Sequence, residues 1–225
     1  MTGAIYHFTD KSEKRPIVYQ KQIKELEEFA EKIGVYVEKV YCDFSLKVKD
    51  RTQFDAFLEE SHLYSALITK DFYHLSKNTM ACMKLMKELS EKGITIYTLK
   101  DGTFVFTDAP YDKPLRVAKY TCGNEGIKGV NNSIHIQQDV YDLFVKRKTD
   151  WTMVNQYADI CQIQNDVGQK NLLRLIENKD QFDILLVNNL NDVHWRTSRF
   201  FMIREQIGKG IYSLQEGYID YRKGC

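Results

Sequence analysis

Ile96-Tyr97-Thr98-Leu99-Lys100-Asp101-Gly102 has a counterpart in Ile211-Tyr212-Ser213-Leu214-Gln215-Glu216-Gly217. Each stretch runs from apolar and aromatic residues through a hydroxyl to a leucine. Each then closes on a carboxylate and a glycine, as a strand entering a tight turn does. The likeness continues backward through both halves, so the chain reads as one small domain written twice.

At the front of each half, Ile5-Tyr6-His7-Phe8-Thr9-Asp10 is set against Val117-Ala118-Lys119-Tyr120-Thr121-Cys122. Both hold an imidazole or basic side chain, an aromatic and a threonine. A glutamine-bearing amphipathic helix follows, around Gln22, Leu26 and Phe29 in one half and Gln137, Tyr141 and Phe144 in the other. Then come a strand ending in Tyr-x-Asp (Tyr41-Cys42-Asp43, Tyr157-Ala158-Asp159) and a second helix (Phe54, Phe57 and Leu58; Leu172, Leu175 and Ile176). An apolar strand (Ala66–Thr69, Ile184–Val187) precedes a third helix that ends at Gly93 or Gly210, each a candidate left-handed cap. The offset between counterparts drifts from about 112 to about 118 residues and back, as a few short insertions would make it.

Strand–helix alternation at these lengths specifies parallel crossovers. The expected fold is α/β: two tandem three-layer domains, each a mostly parallel sheet of about four or five strands with helices on both faces. The first spans residues 1–106 and the second 115–225. Residues 107–114, with two of the three prolines of the chain, form a connecting linker. The stretches Lys11–Arg15 and Asn124–Asn132 read as loops past the carboxyl ends of strands, where α/β sheets commonly take ligands. Neither carries a glycine-rich phosphate-binding pattern.

The 225 residues are 43% hydrophobic and 12% aromatic, enough for two cores of ordinary domain size. No apolar run approaches the roughly 18 residues of a membrane span, and the first residues lack the layout of a signal peptide. The five cysteines form no Cys-x-x-Cys pair, and no histidines stand at ligand spacing. No metal or other cofactor is therefore expected, nor a disulfide framework. Cys42 and Cys161 read as buried small residues, and a cytoplasmic, reducing compartment is the expected location. The net charge of +1 argues against a chain that holds DNA through a strongly basic face. Two local groups, Arg196 with Arg199 and Arg204, and Lys146 with Arg147 and Lys148, read first as solvated helix faces.

The order of motifs resembles the catalytic domain of the serine recombinases, the resolvase/invertase family. In that family a Tyr-x-Arg-Val-Ser strand supplies the serine that attacks the DNA phosphodiester. A glutamine-bearing helix, a Tyr-x-Asp strand end, an Arg-Pro-x-Leu helix start and an Arg-Leu-Ser-Arg-Asn segment follow. Gln22, Tyr41-Cys42-Asp43, Arg51-Thr52-Gln53-Phe54 and His74-Leu75-Ser76-Lys77-Asn78 fall on those motifs in the first half. The resemblance covers Ile5 to about Gly102 and, more faintly, Val117 to Gly217. It implies a first site of His7, Thr9, Asp43, Arg51, His74 and Lys77, and a second of Lys119, Thr121, Asp159, Gln169 and His194.

The departures fall on the chemistry. Threonine stands at both nucleophile positions, and His7 and Lys119 replace the arginine two residues earlier. His74 and Lys77 replace the Arg-x-x-Arg pair, where the second half has Asp192-Val193-His194-Trp195. Gln169 replaces the arginine kept as Arg51. Phosphoryl transfer here needs a guanidinium cluster around the phosphate, which lysine and neutral histidine do not reproduce. Both sites are therefore expected to be vestigial, and the protein is expected to be no enzyme. The long dimerisation helix and the DNA-reading region of the family are not found after Gly217 in this sequence.

The resulting expectation is a non-catalytic, recombinase-like protein that binds a protein partner, either a recombinase or another DNA-transaction protein, with DNA second. It would serve DNA recombination or a mobile element, and its halves could pair as an internal pseudo-dimer. Tyr73, Trp195, Phe200 and Phe201 are core residues first and partner anchors second. Two alternatives come from other classes: an active DNA recombinase or nuclease using a threonine nucleophile, and an α/β small-molecule binder.

Overall fold

The computed structural model describes residues 1–9, 16–44, 50–103, 106–107, 114–124, 128–161 and 168–219. Residues 11–15 and 125–127, the centres of the two candidate ligand loops, and residues 108–113 of the linker lie outside the described residues. The chain divides into two compact units, the first mainly Met1–Lys77 with Ala81–Phe104 and the second mainly Val105–Lys223 with Asn78–Met80.

In chain order the first unit contributes β1 (Thr2–Phe8), α1 (Pro16–Lys32), β2 (Tyr36–Asp43), α2 (Thr52–Glu60), β3 (Ala66–Thr69), α3 (Thr79–Glu91), β4 (Thr95–Thr98) and β5 (Gly102–Thr103). Its sheet has the order β2-β1-β3-β4-β5. All pairings are parallel except the terminal β4/β5 hairpin. β1 and β3 are central and flanked on both faces, so they read as near-continuous apolar runs rather than alternating ones. Ile5 packs with Leu26 and Ala30 of α1, whereas the ring of the next residue, Tyr6, lies 4.6 Å from Phe54 of α2. Successive strand residues face opposite sides, so α1 and α2 cover opposite faces of the sheet.

The second unit contains β6 (Phe106–Thr107), β7 (Leu115–Asn124), α4 (Val130–Lys146), β8 (Trp151–Cys161), α5 (Lys170–Glu177), β9 (Ile184–Val187), α6 (Thr197–Ile207), β10 (Gly210–Ser213) and β11 (Gly217–Ile219). The strand order is β6-β11-β10-β9-β7-β8. β7 pairs parallel with β8 and β9, and β9 with β10. β11 then adds antiparallel to β10, and β6 to β11. The core joins Leu115 and Val117 of β7, Tyr141 and Val145 of α4, and Ile184 and Leu186 of β9. The fold is thus α/β, with two mixed sheets flanked by helices.

Four sequence expectations are corrected here. Phe106 and Thr107, read as the end of the first domain and the start of the linker, form β6 and pair with β11 of the second sheet. Asn124 closes β7, and Val130 to Asn132 begin α4 rather than continuing a loop. Gly93 takes the left-handed conformation as expected, but at the end of α6 that role falls to Gly208 (φ 63°) and not Gly210, which opens β10. Cys161, read as a lone buried residue, is instead brought sulfur to sulfur with Cys122, their Cα atoms 6.2 Å apart. The parallel β7/β8 pairing brings the ends of both strands together across 39 residues of sequence.

A fifth correction concerns register. The first strand of each sheet has a shift against the second, between Gly3 and Ala4 in one unit and between Val117 and Ala118 in the other. Farther along, Phe8 pairs with Asp43, and Cys122 with Asp159. Aligned on these features, Tyr6 corresponds to Tyr120 and His7 to Thr121. Thr9 then corresponds to Gly123, and Lys119 to Ile5. The sequence matching of Thr9 to Thr121 was two residues out of step. A strand repeats every two residues, so a slip of two leaves every side chain on its own face and the pattern does not reveal it.

Candidate functional site

At the carboxyl end of the first sheet, Asp43 closes β2 and its carboxylate meets the start of α2. It accepts the backbone N–H of Gln53 at 3.0 Å and of Phe54 at 3.1 Å, and the hydroxyl of Tyr6 at 3.0 Å. Arg51, at the N-cap position of α2, has no capping side-chain bond of its own. Asp43 takes that place from the neighbouring strand, satisfying the open N–H groups and placing a negative charge at the positive end of the helix. Burial, with the nearby Asp43 charge, pushes the Tyr6 phenol well above its ordinary range despite the opposing pull of Arg51, so Tyr6 stays a donor.

Arg51 is only 8% exposed. Its Nε donates to the Tyr6 hydroxyl at 3.0 Å, Nη2 to the His74 carbonyl at 3.0 Å and Nη1 to the Leu75 carbonyl. Its Cζ lies 4.1 Å from the Phe54 ring centroid. The guanidinium thus ties β1, α2 and the turn after β3 together.

The other members of the first set stand in the strands and turns at this end of the sheet. Thr9 is 1% exposed, and its N–H donates to the Asp43 carbonyl at 3.1 Å. His7 bonds Gln22 through Nε2 at 2.9 Å and stacks on His74, ring centroids 5.4 Å apart. His74 Nδ1 lies 2.6 Å from the Asp71 carboxylate. Burial acts to raise Asp71, but the bond and charge of His74, with Lys100 nearby, hold it below the usual carboxylate value. Lys77 places its ammonium 5.7 Å from the Phe8 ring and 5.5 Å from the Tyr73 ring. Phe8, Arg51, Tyr73, His74, Ser76 and Lys77 line one small depression.

The second unit repeats part of this geometry. Asp159, two residues before the end of β8, accepts the N–H of Asn171 at 3.0 Å and of Leu172 at 2.9 Å. It also accepts the Tyr120 hydroxyl at 3.2 Å. Burial, reinforced by Asp159, drives the Tyr120 phenol upward, as in Tyr6. Gln169 stands at the N-cap of α5 as Arg51 does at α2, and its amide donates to the Val193 carbonyl at 3.0 Å. Arg51 Nη1 reaches the carbonyl of Leu75, the residue equivalent to Val193.

The rest of the second set does not gather there. Lys119 is 2% exposed and points to α4, with Nζ 2.7 Å from Asp142 Oδ1 and 3.3 Å from the Gln138 carbonyl. Thr121 is fully buried on the α4 side of β7. His194 follows Val193, accepts the Arg196 N–H on Nδ1 at 2.9 Å and stacks on Trp195. The structural counterpart of His74 is Asp192, not His194. The arginine group Arg196, Arg199 and Arg204 is also broken up, because Arg204 is 5% exposed with its guanidinium near the Phe201 ring. Phe200 and Phe201 are buried, and Tyr73 and Trp195 are half-buried.

Sequence reasoning missed a second pair of carboxylates. Asp101 accepts the Phe72 N–H at 2.9 Å, and Glu216 accepts the equivalent Leu190 N–H at 3.2 Å. Each binds the hydroxyl residue of its terminal motif: Thr98 Oγ1 takes the Asp101 N–H, and Ser213 Oγ donates to the Glu216 carboxylate. The signal was the repeated Thr/Ser-x-x-Asp/Glu spacing in the opening twin. Among the described residues no group of His, Cys, Asp and Glu is placed to hold a metal ion. No helix there is long and apolar enough to cross a membrane.

The family described as Resolvase, N terminal domain, matches residues 11–119. The matched range includes Asp43, Arg51, His74 and Lys77 and begins two residues after Thr9. No curated protein matches the chain. Among solved structures, the N-terminal catalytic domain of TP901-1 integrase is 22% identical, covering 45% of this chain and 78% of its own, with a TM-score of 0.39. A resolvase family site-specific recombinase from Streptococcus pneumoniae is 16% identical, covering 64% and 93%, with a TM-score of 0.37. A Caulobacter myo-inositol binding protein is 15% identical, covering 94% and 74%, with a TM-score of 0.29.

Proposed function

We propose that this chain is a tandem of two resolvase-type domains, both without strand-cleaving activity, and that it acts in DNA recombination by binding a protein partner. The observation that carries the reading is the engagement of Arg51. The one arginine that falls on a family position gives its guanidinium nitrogens to Tyr6, His74 and Leu75 within its own domain, and glutamine stands in its place in the second domain. Loss of one preorganised donor costs on the order of a hundredfold in rate. Here several family arginines are replaced, the aligned hydroxyl of the first domain is buried, and the aligned residue of the second is Gly123, which has no hydroxyl.

The duplication is supported by four matched features: the β-bulge, the Tyr-to-Asp bond, the Asp clamp on the second helix, and the Asp101/Glu216 brace. A recombinase or another DNA-transaction protein is the proposed partner, and DNA comes second because the chain is nearly neutral. Supercoiled plasmid incubated with the protein should yield neither nicked product nor covalent adduct. Nicking that disappears in Thr9→Ala would establish the threonine nuclease instead. Proximity labelling in the source cells should recover recombination or replication proteins, and recovery of none would remove the partner reading.

A further inference from the structure

Helices α5 and α6 of the second unit enclose a cleft of about 330 Å³, the lower end of the range for small-molecule sites. Its walls are Leu173 and Ile176 of α5 and Met202 and Ile203 of α6. Leu173 is 61% exposed and Met202 41% exposed, so two large apolar side chains stand at the rim. Covering them with an apolar body yields roughly 25 cal/mol for each Å² removed from water.

The charge of the cleft is one-sided. Among the described residues, Lys170 and Arg199 line it, both exposed, and no carboxylate does. Arg199 Nη1 lies 3.6 Å from Met202 Sδ, which sets the guanidinium directly beside the apolar wall. His194 forms part of the lining, and because its Nδ1 accepts a backbone N–H, its ring proton is on Nε2, a donor. The end of α5 is not the source of this polarity, since Asp159 already takes the N–H groups of Asn171 and Leu172.

We propose that this cleft binds an anionic amphiphile, its apolar body lying between α5 and α6 and its carboxylate meeting Lys170 and Arg199. The cleft shares Gln169 and His194 with the second vestigial set, but the proposal does not depend on the partner-binding reading.

Calorimetric titration of the full chain with decanoate, decanol and decylammonium, all below their micelle concentrations, tests it. Decanoate should bind saturably at one site, and decanol about tenfold more weakly or worse. Decylammonium should be weaker still. Leu173→Glu and Arg199→Glu should each weaken decanoate about tenfold, and Arg199→Glu should narrow the gap to decylammonium. Leu143→Glu, at an exposed site on α4, should change nothing. Thermal melts of each variant verify folding, and Lys170→Glu replaces Arg199→Glu if the latter melts early. Equal binding of decanoate and decylammonium, indifference to Leu173→Glu and the charge reversals, or absence of saturable binding would each overturn the proposal. So would an acidic peptide binding where decanoate does not.

Discussion

Asp43 holds the first turn of α2 from the neighbouring strand, with its Oδ2 3.1 Å from the Phe54 nitrogen. One carboxylate therefore does three things: it ends β2, caps α2 and fixes the Tyr6 hydroxyl. Removing it in Asp43→Ala leaves two helix N–H groups and a buried phenol without their acceptor. Loss of a cap costs about 1 kcal/mol, and each stranded buried donor about 1–3 kcal/mol. The expected destabilisation is about 3 kcal/mol by urea unfolding, with Asp159→Ala similar in the second unit. A change below about 0.5 kcal/mol, the size of an ordinary surface substitution, would show that the clamp contributes little.

Arg51 makes the second test. If its guanidinium is a brace, the variant that keeps one of its bonds should keep part of its stability. Gln169 already makes the matching bond to Val193, so Arg51→Gln is expected to be more stable than Arg51→Ala. Arg51→Ala should lose about 3 kcal/mol, since hydrogen bonds from a charged donor contribute about 1.5–3 kcal/mol each. Equal denaturation midpoints for the two variants would contradict the shared role.

How much was legible beforehand follows from what each signal encodes. The strands Ala66–Thr69 and Ile184–Val187 and the alternation of strands and helices were readable, because apolar runs of that length between turn residues have few other solutions. The first-half set rests on the resemblance to a family, not on a local spacing signal. The step of Thr9 onto Thr121 was not readable, because only bulges and hydrogen bonds separate registers two residues apart. Nor was the Cys122–Cys161 pair, which arises from strand pairing and has no local spacing signal. Lys119 was misplaced for the same reason as Thr121. The α5/α6 cleft depends on how two helices pack, and the helix pattern shows only that each has an apolar face.

Asp192 predicts a pH dependence. Burial pushes its carboxyl up to about 7, the Glu216 charge adds to the shift, and N–H donation from Asn189 and Asn188 opposes it. An unfolded aspartate titrates near about 3.9. Between those values the folded chain holds a proton that the unfolded chain has released, so stability falls as pH rises. The contribution is full below about pH 4, is lost progressively up to about pH 7, and is flat above. The stability difference between the wild type and Asp192→Asn, measured by urea unfolding from pH 4 to 8, should decline across that window. Glu60 and Asp71, both held below the usual carboxylate value, act in the opposite direction in both proteins and cancel. A difference that does not vary with pH would place the Asp192 carboxyl in its ordinary range.

Lys119 gives the last prediction, and it also tests the register. The side chain is buried in the position that Ile5 holds in the first unit, and its ammonium reaches Asp142, whose side chain is 44% exposed. A buried ion carries a desolvation penalty that pairing offsets only in part, and exchange of such a group for a well-packed apolar one is often neutral or stabilising. Asp142 can rehydrate once its partner is gone, so the usual penalty for a stranded buried charge is small here. Lys119→Ile is therefore expected to leave stability within about 1 kcal/mol of wild type or to raise it, whereas Lys119→Ala should lose about 2–3 kcal/mol through the cavity it opens. Urea midpoints for the pair decide it. Were Lys119→Ile as damaging as Lys119→Ala, the ion pair with Asp142 rather than the volume of the stem would hold β7 against α4, and the equivalence of Lys119 with Ile5 would lose its energetic meaning.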